Sequence, residues 1–263
     1  MARESMDYDV VIVGGGPSGL SAAIKLAQLF KEKKQEKSIC VLEKSAEIGG
    51  HILSGNVFET TALDELIPDW KEKNAPLNVP VKKDAIKFLL NDKLSIPVPS
   101  FLMPTMKNHG NYIISLANLC RWLAEQAESL GVDIFPGFPA AEIIYKEGKV
   151  AGVITGDMGK DSKGNEKDSF QPGMEIFANE STVFAEGCRG NLGKQLIKKF
   201  ELDKGKDPQH YGIGFKEIWE VDNEHHSEGL VMHTNGWPLP DDTPGGSYTV
   251  SYTHLTLPTS QLV

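Results

Sequence analysis

The pattern of apolar and polar positions changes period several times along the chain. Residues 8–13 (YDVVIV) form a short β-branched run, as expected of a strand buried on both faces. Leu20, Ala23, Ile24 and Ala27 then recur at helical spacing, with Leu26 and Leu29 widening the same face. Residues 38–42 (SICVL) predict a second buried strand that ends at Glu43. Past Glu43 the pattern is irregular, through Ser54-Gly55-Asn56, residues 66–70, Pro76 and Pro80. Residues 86–90 and 94–98 predict a hairpin about Asn91-Asp92. Residues 96–106 (IPVPSFLMPTM) are apolar, proline-bearing and without helical period, which predicts a loop. Residues 112–130 predict a helix with the stripe Ile113, Leu116, Leu119, Cys120, Leu123, Ala127, Leu130 and a stop at Gly131. Then follow a strand at 132–135, a hairpin of 141–145 and 150–155 about Glu147-Gly148, and a polar mobile loop at 157–172. Two strands at 174–178 and 181–185 and a helix at about 192–200 complete the pattern.

Candidate chemistry enters at the first strand–helix junction. Gly14, Gly16 and Gly19 fit G-x-G-x-x-G, with Pro17 and Ser18 inside it. Gly14 permits a tight turn, Gly16 lets backbone approach a pyrophosphate, and Gly19 lets the helix pack closely on the sheet. The helix N-terminus then offers unpaired N–H groups to phosphates. Glu43, at the end of the second strand, is placed to accept hydrogen bonds from an adenosine ribose, and its charge disfavours a 2′-phosphate. Two features favour FAD over NAD: the fingerprint opens the chain, and Gly49-Gly50-His51 follows Glu43 and Lys44 within a few residues. A second strand–glycine turn–helix, Ala185-Glu186-Gly187-Cys188-Arg189-Gly190, is a candidate second approach to the cofactor. Cys188 reads either as a redox-active thiol or as a small residue in a tight turn. His225, His226 and His233 lack the spacing of a metal site and read as surface histidines.

The apolar loop at 96–106 has two readings: it folds under the core, or it is an exposed patch for a membrane or a partner. Ile48, Ile52, Leu53, Val57 and Phe58 form a second apolar stretch that could join it. Composition narrows the function. With 27 Lys+Arg against 36 Asp+Glu the formal charge is −9, so the chain is a poor polyanion binder and nucleic acid is not an expected partner. Three scattered cysteines, Cys40, Cys120 and Cys188, argue against a disulfide framework, a zinc site or a self-contained iron–sulfur cluster. No apolar run approaches the length of a spanning helix, and the polar start of the chain is neither a signal peptide nor a transit peptide.

Several strings resemble the electron transfer flavoprotein–ubiquinone oxidoreductase family: the N-terminal fingerprint, residues 48–55 (IGGHILSG), 68–71 (PDWK), 108–112 (NHGNY), 185–190 (AEGCRG), 211–214 (YGIG) and 236–239 (GWPL). The resemblance runs from about Asp9 to about Tyr248. It implies an α/β fold, a Rossmann-type FAD-binding domain of the glutathione-reductase-like superfamily with an inserted α+β quinone- and membrane-facing domain. It implies a monotopic enzyme of the bacterial plasma membrane or the mitochondrial inner membrane. Such an enzyme takes electrons from reduced electron transfer flavoprotein and passes them through FAD and a [4Fe-4S] cluster to ubiquinone. Gly14, Gly16, Pro17, Ser18, Gly19, Glu43, Lys44, Gly50, His51, Arg121 and Gly187 are the implied FAD contacts, and Gly245 and Gly246 the implied quinone contacts. Ile48, Ile52, Leu53, Val57, Phe58, Phe101, Leu102 and Met103 are the implied membrane contacts. The implied domains are 1–85 and 116–205 for FAD, 86–115 facing membrane and quinone, and 206–248 opening the quinone domain. Family members are about twice this long and carry the cluster ligands in their other half, so this chain reads as an N-terminal fragment. Residues 249–263 do not continue the family pattern and read as an aberrant tail. Two alternatives stay open: an FAD monooxygenase or geranylgeranyl-reductase-like enzyme fed by NAD(P)H, and an inactive truncated FAD-binding fragment.

Overall fold

The computed structural model describes residues 3–53, 55–222, 224, 226–240 and 242–252. Ser54, His225 and most of the tail read as aberrant, 253–263, lie outside the described residues. In chain order the elements are β1 (Ser5–Val13), α1 (Pro17–Glu32), β2 (Ile39–Glu43), β3 (Asn56–Phe58), α2 (Thr61–Leu66), β4 (Val79–Pro80), β5 (Lys83–Leu89), β6 (Ser95–Pro97), β7 (Tyr112–Ile114), α3 (Leu116–Ser129), β8 (Asp133–Pro136), β9 (Ala140–Lys146), β10 (Lys149–Thr155), β11 (Met158–Lys160), β12 (Glu166–Gln171), β13 (Glu175–Phe184), α4 (Asn191–Phe200), β14 (Leu230–Gly236) and β15 (Ser247–Val250). They form two compact units, one of residues 1–52 and 120–212, the other of 53–119 and 213–263. The chain passes between them at 52/53, 119/120 and 212/213, where the resemblance implied 85/86, 115/116 and 205/206.

The first unit is built on a six-stranded sheet in the order β8-β2-β1-β13-β10-β9. β8, β2, β1 and β13 run parallel to one another, whereas β10 is antiparallel to both β13 and β9. The β-branched runs of β1 and β2 are explained by their central place: Val11, Ile12, Cys40 and Val41 are wholly buried. Leu20, Ala23 and Ile24 of α1 are equally buried, as the helical spacing predicted. One core cluster joins Val11, Cys40, Leu42, Val153, Ile176 and Leu192. The β9–β10 hairpin closes at Glu147 (φ 51°) and Gly148 (φ 79°), the two left-handed residues that match the twist of its strands. Two expectations change here. The strands predicted at 174–178 and 181–185 are the single strand β13, which pairs with β1 on both sides of Asn179-Glu180 and takes up these polar residues at a register shift between the Tyr8–Ala178 and Val10–Ser181 pairs. Residues 157–172 are a hairpin, β11 with β12, although its exposed faces give no alternating apolar signal.

The second unit holds a four-stranded sheet, β15-β14-β5-β6, and a three-stranded sheet, β3-β7-β4. Its core gathers Val79, Val81, Ile113 and Val231, with Val57 and Val250 against them. The helix expected over 112–130 is split: Tyr112–Ile114 is strand β7, paired with both β3 and β4, and the helix starts at Leu116. Ile113 fitted the helical stripe, but β-branched residues serve a strand as well, and two waiting edges decide the matter. The expected hairpin of 86–98 is present as β5 and β6. The proline-bearing segment holds two single 3₁₀ turns, residues 100–102 and 104–106. Its far end is tied down by Asn108, whose backbone N–H and side-chain amide donate to Asp84 at 3.1 and 2.7 Å. β15 carries the chain past Tyr248: Thr249 pairs with Met232 and Val250 with Val231.

Candidate functional site

The site forms where β1 gives way to α1. Gly14 has φ 111°, and a Cβ there would run into the carbonyl oxygen of Ala185. Gly19 lies so close under the turn that a Cβ would strike the Gly14 carbonyl oxygen. Both positions therefore require glycine for close packing. Gly16 differs: a Cβ there would meet nothing within 4 Å. It is the cap residue of α1, with Pro17 in the first turn and no side chain bonded to the helix end. The positive end of α1 is thus uncapped and borders open space at Gly16, which suits an anion such as a pyrophosphate.

Glu43 joins this turn through two backbone bonds. Gly15 N–H donates to its Oε2 at 2.8 Å, and Ser45 N–H donates to its Oε1 at 2.8 Å. An ionised carboxylate offers about four acceptor sites, so each oxygen keeps capacity for a ribose hydroxyl. Ser45 was not read from the sequence. It is buried, and its carbonyl accepts from Gly137 N–H at 2.7 Å while Phe138 N–H donates to the Glu43 carbonyl at 3.0 Å. These bonds fix the carboxylate rather than leaving it to swing. Lys44, Gly50 and His51 lie exposed on the loop that follows. A Cβ at Gly50 would strike Ser45 Oγ, so its glycine serves loop packing. Arg121, on α3, reaches the same loop and pairs with Glu47 at 3.3 Å.

The second turn adjoins the first: Ala185 N–H donates to the Val13 carbonyl at 2.8 Å. Gly187 (φ 77°) stands in open space, like Gly16. The helix end beyond it is already filled. The Glu186 carboxylate accepts from the N–H groups of Asn191, Leu192 and Gly193, at 3.1, 3.2 and 2.8 Å. A glutamate five residues ahead of a helix carries no spacing signal; only the backbone turn brings it back onto the helix. Cys188 is exposed. Its carbonyl accepts from Tyr211 Oη at 3.3 Å, and the Arg189 guanidinium lies 4.4 Å from the Tyr211 ring centre. Cys40 and Cys120 are buried, and burial pushes both thiols up to about 12. Among the described residues no group of three or more His, Cys, Asp or Glu could hold a metal ion.

In the second unit, Gly246 is packed against β14, where a Cβ would strike the Thr234 carbonyl oxygen, and Gly245 lies beside Leu239. Of the apolar residues read as membrane contacts, one is corrected. Ile48 is only 8% exposed and packs beneath Gly15. Ile52, Val57, Phe58 and Met103 are half-buried, Val57 against the core of its unit. Leu53, Phe101 and Leu102 are 71%, 73% and 62% exposed. No helix among the described residues is long and apolar enough to cross a membrane. A cleft of about 330 Å³ between α1 and residues 129–132 lies at the opposite end of the sheet from the glycine turns and is not part of the site.

The parallel βαβ crossover with its glycine turn defines a Rossmann-type dinucleotide-binding protein. Residues 12–67 match a family model described as NAD(P)-binding Rossmann-like domain. Among solved structures, a geranylgeranyl bacteriochlorophyll reductase-like protein of Thermoplasma acidophilum aligns with TM-score 0.56 and 21% identity, covering 89% of this chain and 51% of that one. A flavoprotein/dehydrogenase of Cytophaga hutchinsonii aligns with TM-score 0.51 and 18% identity, over 87% of this chain and 50% of that one. These likenesses establish the fold.

The particular relatives are closer in sequence. The chain is 59% identical over 94% of its length to the electron transfer flavoprotein-ubiquinone oxidoreductase of Pseudomonas aeruginosa. It is 50% identical to the mitochondrial protein of that name in Arabidopsis thaliana and 51% to that of Mus musculus, again over 94% of its length. It spans only 45%, 38% and 40% of the three. Residues 211–258 match the family model described as ETF-QO, ubiquinone-binding, which reaches ten residues past Tyr248. The resemblance read from the motifs thus holds across nearly all of the chain, and the chain is a partial match to such proteins.

Proposed function

We propose that this chain is the FAD- and quinone-binding part of an oxidoreductase that passes electrons from reduced electron transfer flavoprotein to ubiquinone. The observation that carries the reading is the identity of 59% over 94% of the chain, which takes in both the glycine turn and the ubiquinone-binding region. Bound FAD would supply a ring able to take electrons singly and release them in pairs, which is what joins a one-electron donor to a two-electron acceptor. The chain's own residues do the holding. The N–H groups of Ser18 and Gly19 bind the pyrophosphate, Gly16 leaves room for it, and Glu43 orients the adenosine ribose. Lys44, Gly50, His51, Arg121 and Gly187 border the same cofactor. Gly245 and Gly246 belong to the quinone side. No side-chain acid or base is assigned.

Phe101 and Leu102 form an exposed apolar lip that rests at the edge of a lipid bilayer, where an apolar quinone tail can enter. The protein is peripheral on the membrane in this reading. The [4Fe-4S] cluster belongs to the remainder of a full-length protein. The decisive experiment purifies the chain and measures its visible spectrum. The expected result is a yellow protein that releases FAD on denaturation and, when extended to full length, is reduced by reduced electron transfer flavoprotein. A colourless protein that takes up no flavin, or a flavin bleached rapidly by NADPH alone, would overturn the reading.

A further inference from the structure

His233 sits at the middle of β14, inside the stretch matched as ubiquinone-binding. Its ring centre is 5.2 Å from that of Tyr248, with the planes at 49°, because the two residues occupy paired positions of β14 and β15. The Nε2 atom of His233 is buried and has no hydrogen-bond partner among the described residues. A buried ring nitrogen without a partner is unfavourable, so a residue kept in that state points to a ligand that satisfies it. On the face of His233, the titratable groups of the flanking strands are Tyr248, at the paired position, and Asp84 on β5, two residues before the paired Ile86; Lys83 and Lys87 of β5 stand at the alternate positions, which belong to the other face. The Asp84 carboxylate is engaged by Asn108. Val231 and Ile86 are buried, at 0% and 8% exposure. One polar nitrogen beside an aromatic ring, in otherwise apolar surroundings, suits a flat neutral ring bearing a carbonyl oxygen. A phosphate or carboxylate would lack a cation there.

We propose that His233 is a quinone-binding residue, donating a hydrogen bond from Nε2 to a carbonyl oxygen of the ring, with Tyr248 as its aromatic neighbour. This rests on the quinone-binding reading of residues 211–258. The test titrates ubiquinone-1 into the FAD-loaded chain and into His233→Phe and His233→Asn variants. His233→Phe keeps a flat ring without a donor and is expected to weaken binding about tenfold. His233→Asn restores an N–H donor and is expected to recover most of that loss, with FAD retention unchanged in both. In wild-type protein, ubiquinone-1 is expected to shift the Nε2 resonance of His233 in a nitrogen-15 NMR spectrum, a readout independent of whether a variant folds. Equal affinity in His233→Phe, or an unmoved resonance at saturating quinone, would overturn the proposal and leave the quinone reading standing. A wild-type chain that holds FAD but binds no ubiquinone-1 would overturn both.

Discussion

The two glycine turns of the first unit look alike in sequence and differ in kind. Each is a buried strand, a glycine-rich turn and a helix, and the two turns touch through Ala185 and Val13. The end of α1 carries no side-chain cap, whereas the end of α4 is closed by the Glu186 carboxylate, which takes three N–H groups. A helix N-terminus attracts one anion well. Where the chain brings its own, as at α4, no phosphate site is left at that helix end. The glycine pattern thus marks where backbone comes close, and the neighbouring acid decides whether a ligand or the protein fills the helix end.

The largest effect should come from removing the glycine on which both turns depend. Gly14→Val places a side chain against the Ala185 carbonyl at φ 111° and should destabilise the protein by about 3 kcal/mol, read as a lowered melting temperature and loss of flavin. Next is the acid at the first turn. Glu43→Ala should weaken FAD binding by about 2 kcal/mol, some thirtyfold, measured by flavin fluorescence on dilution. Unchanged retention would remove Glu43 from the ribose. Glu186→Ala should separate the turns most clearly. It uncaps α4 and should lower stability by about 1 kcal/mol, while FAD affinity changes far less than in Glu43→Ala. Equal losses in the two variants would mean both helix ends serve the cofactor. Thiol labelling sharpens the contrast without mutation: at pH 8 Cys188 should alkylate while Cys40 and Cys120, buried with raised pKa, stay unmodified by mass spectrometry.

The smallest effect is expected far from both turns. Asp9 accepts from the Ser38 backbone N–H and hydroxyl, and from Lys37, which together hold its carboxyl below the usual range, the backbone bond foremost. A depressed folded-state pKa stabilises the protein above the unfolded value of about 3.9, and that contribution is lost as pH falls through the lower folded value. Asp9→Asn should therefore lower the melting temperature slightly at pH 7, by an amount that shrinks below pH 4, with flavin retention untouched.

Much of the first turn could be read in advance because its chemistry is local. The spacing of Gly14, Gly16 and Gly19 states the turn, and Glu43 follows the strand that positions it. Glu186 and Ser45 were invisible because their roles depend on where the backbone returns, not on spacing. Ile48 misled for a related reason: an apolar residue in an irregular stretch reads the same whether it packs under a glycine or meets lipid. The strand Tyr112–Ile114 was hidden inside a helical stripe because its partners, residues 56–58 and 79–80, are remote in sequence. The interleaving of the two units came from the family resemblance, and the exact places of the three passages between them carry no signal in composition.

The pairing of β1 with β13 has a consequence for synthesis of the chain. The first strand emerges early, but its partner is residues 175–184, on the far side of the inserted second unit. Until that point is reached, one side of the nascent strand has no ladder to join, and the loop to be closed is very long. Assembly of the central sheet is a late, non-local event, so chains cut short before residue 184 are expected to aggregate in the cell rather than accumulate as a smaller folded protein.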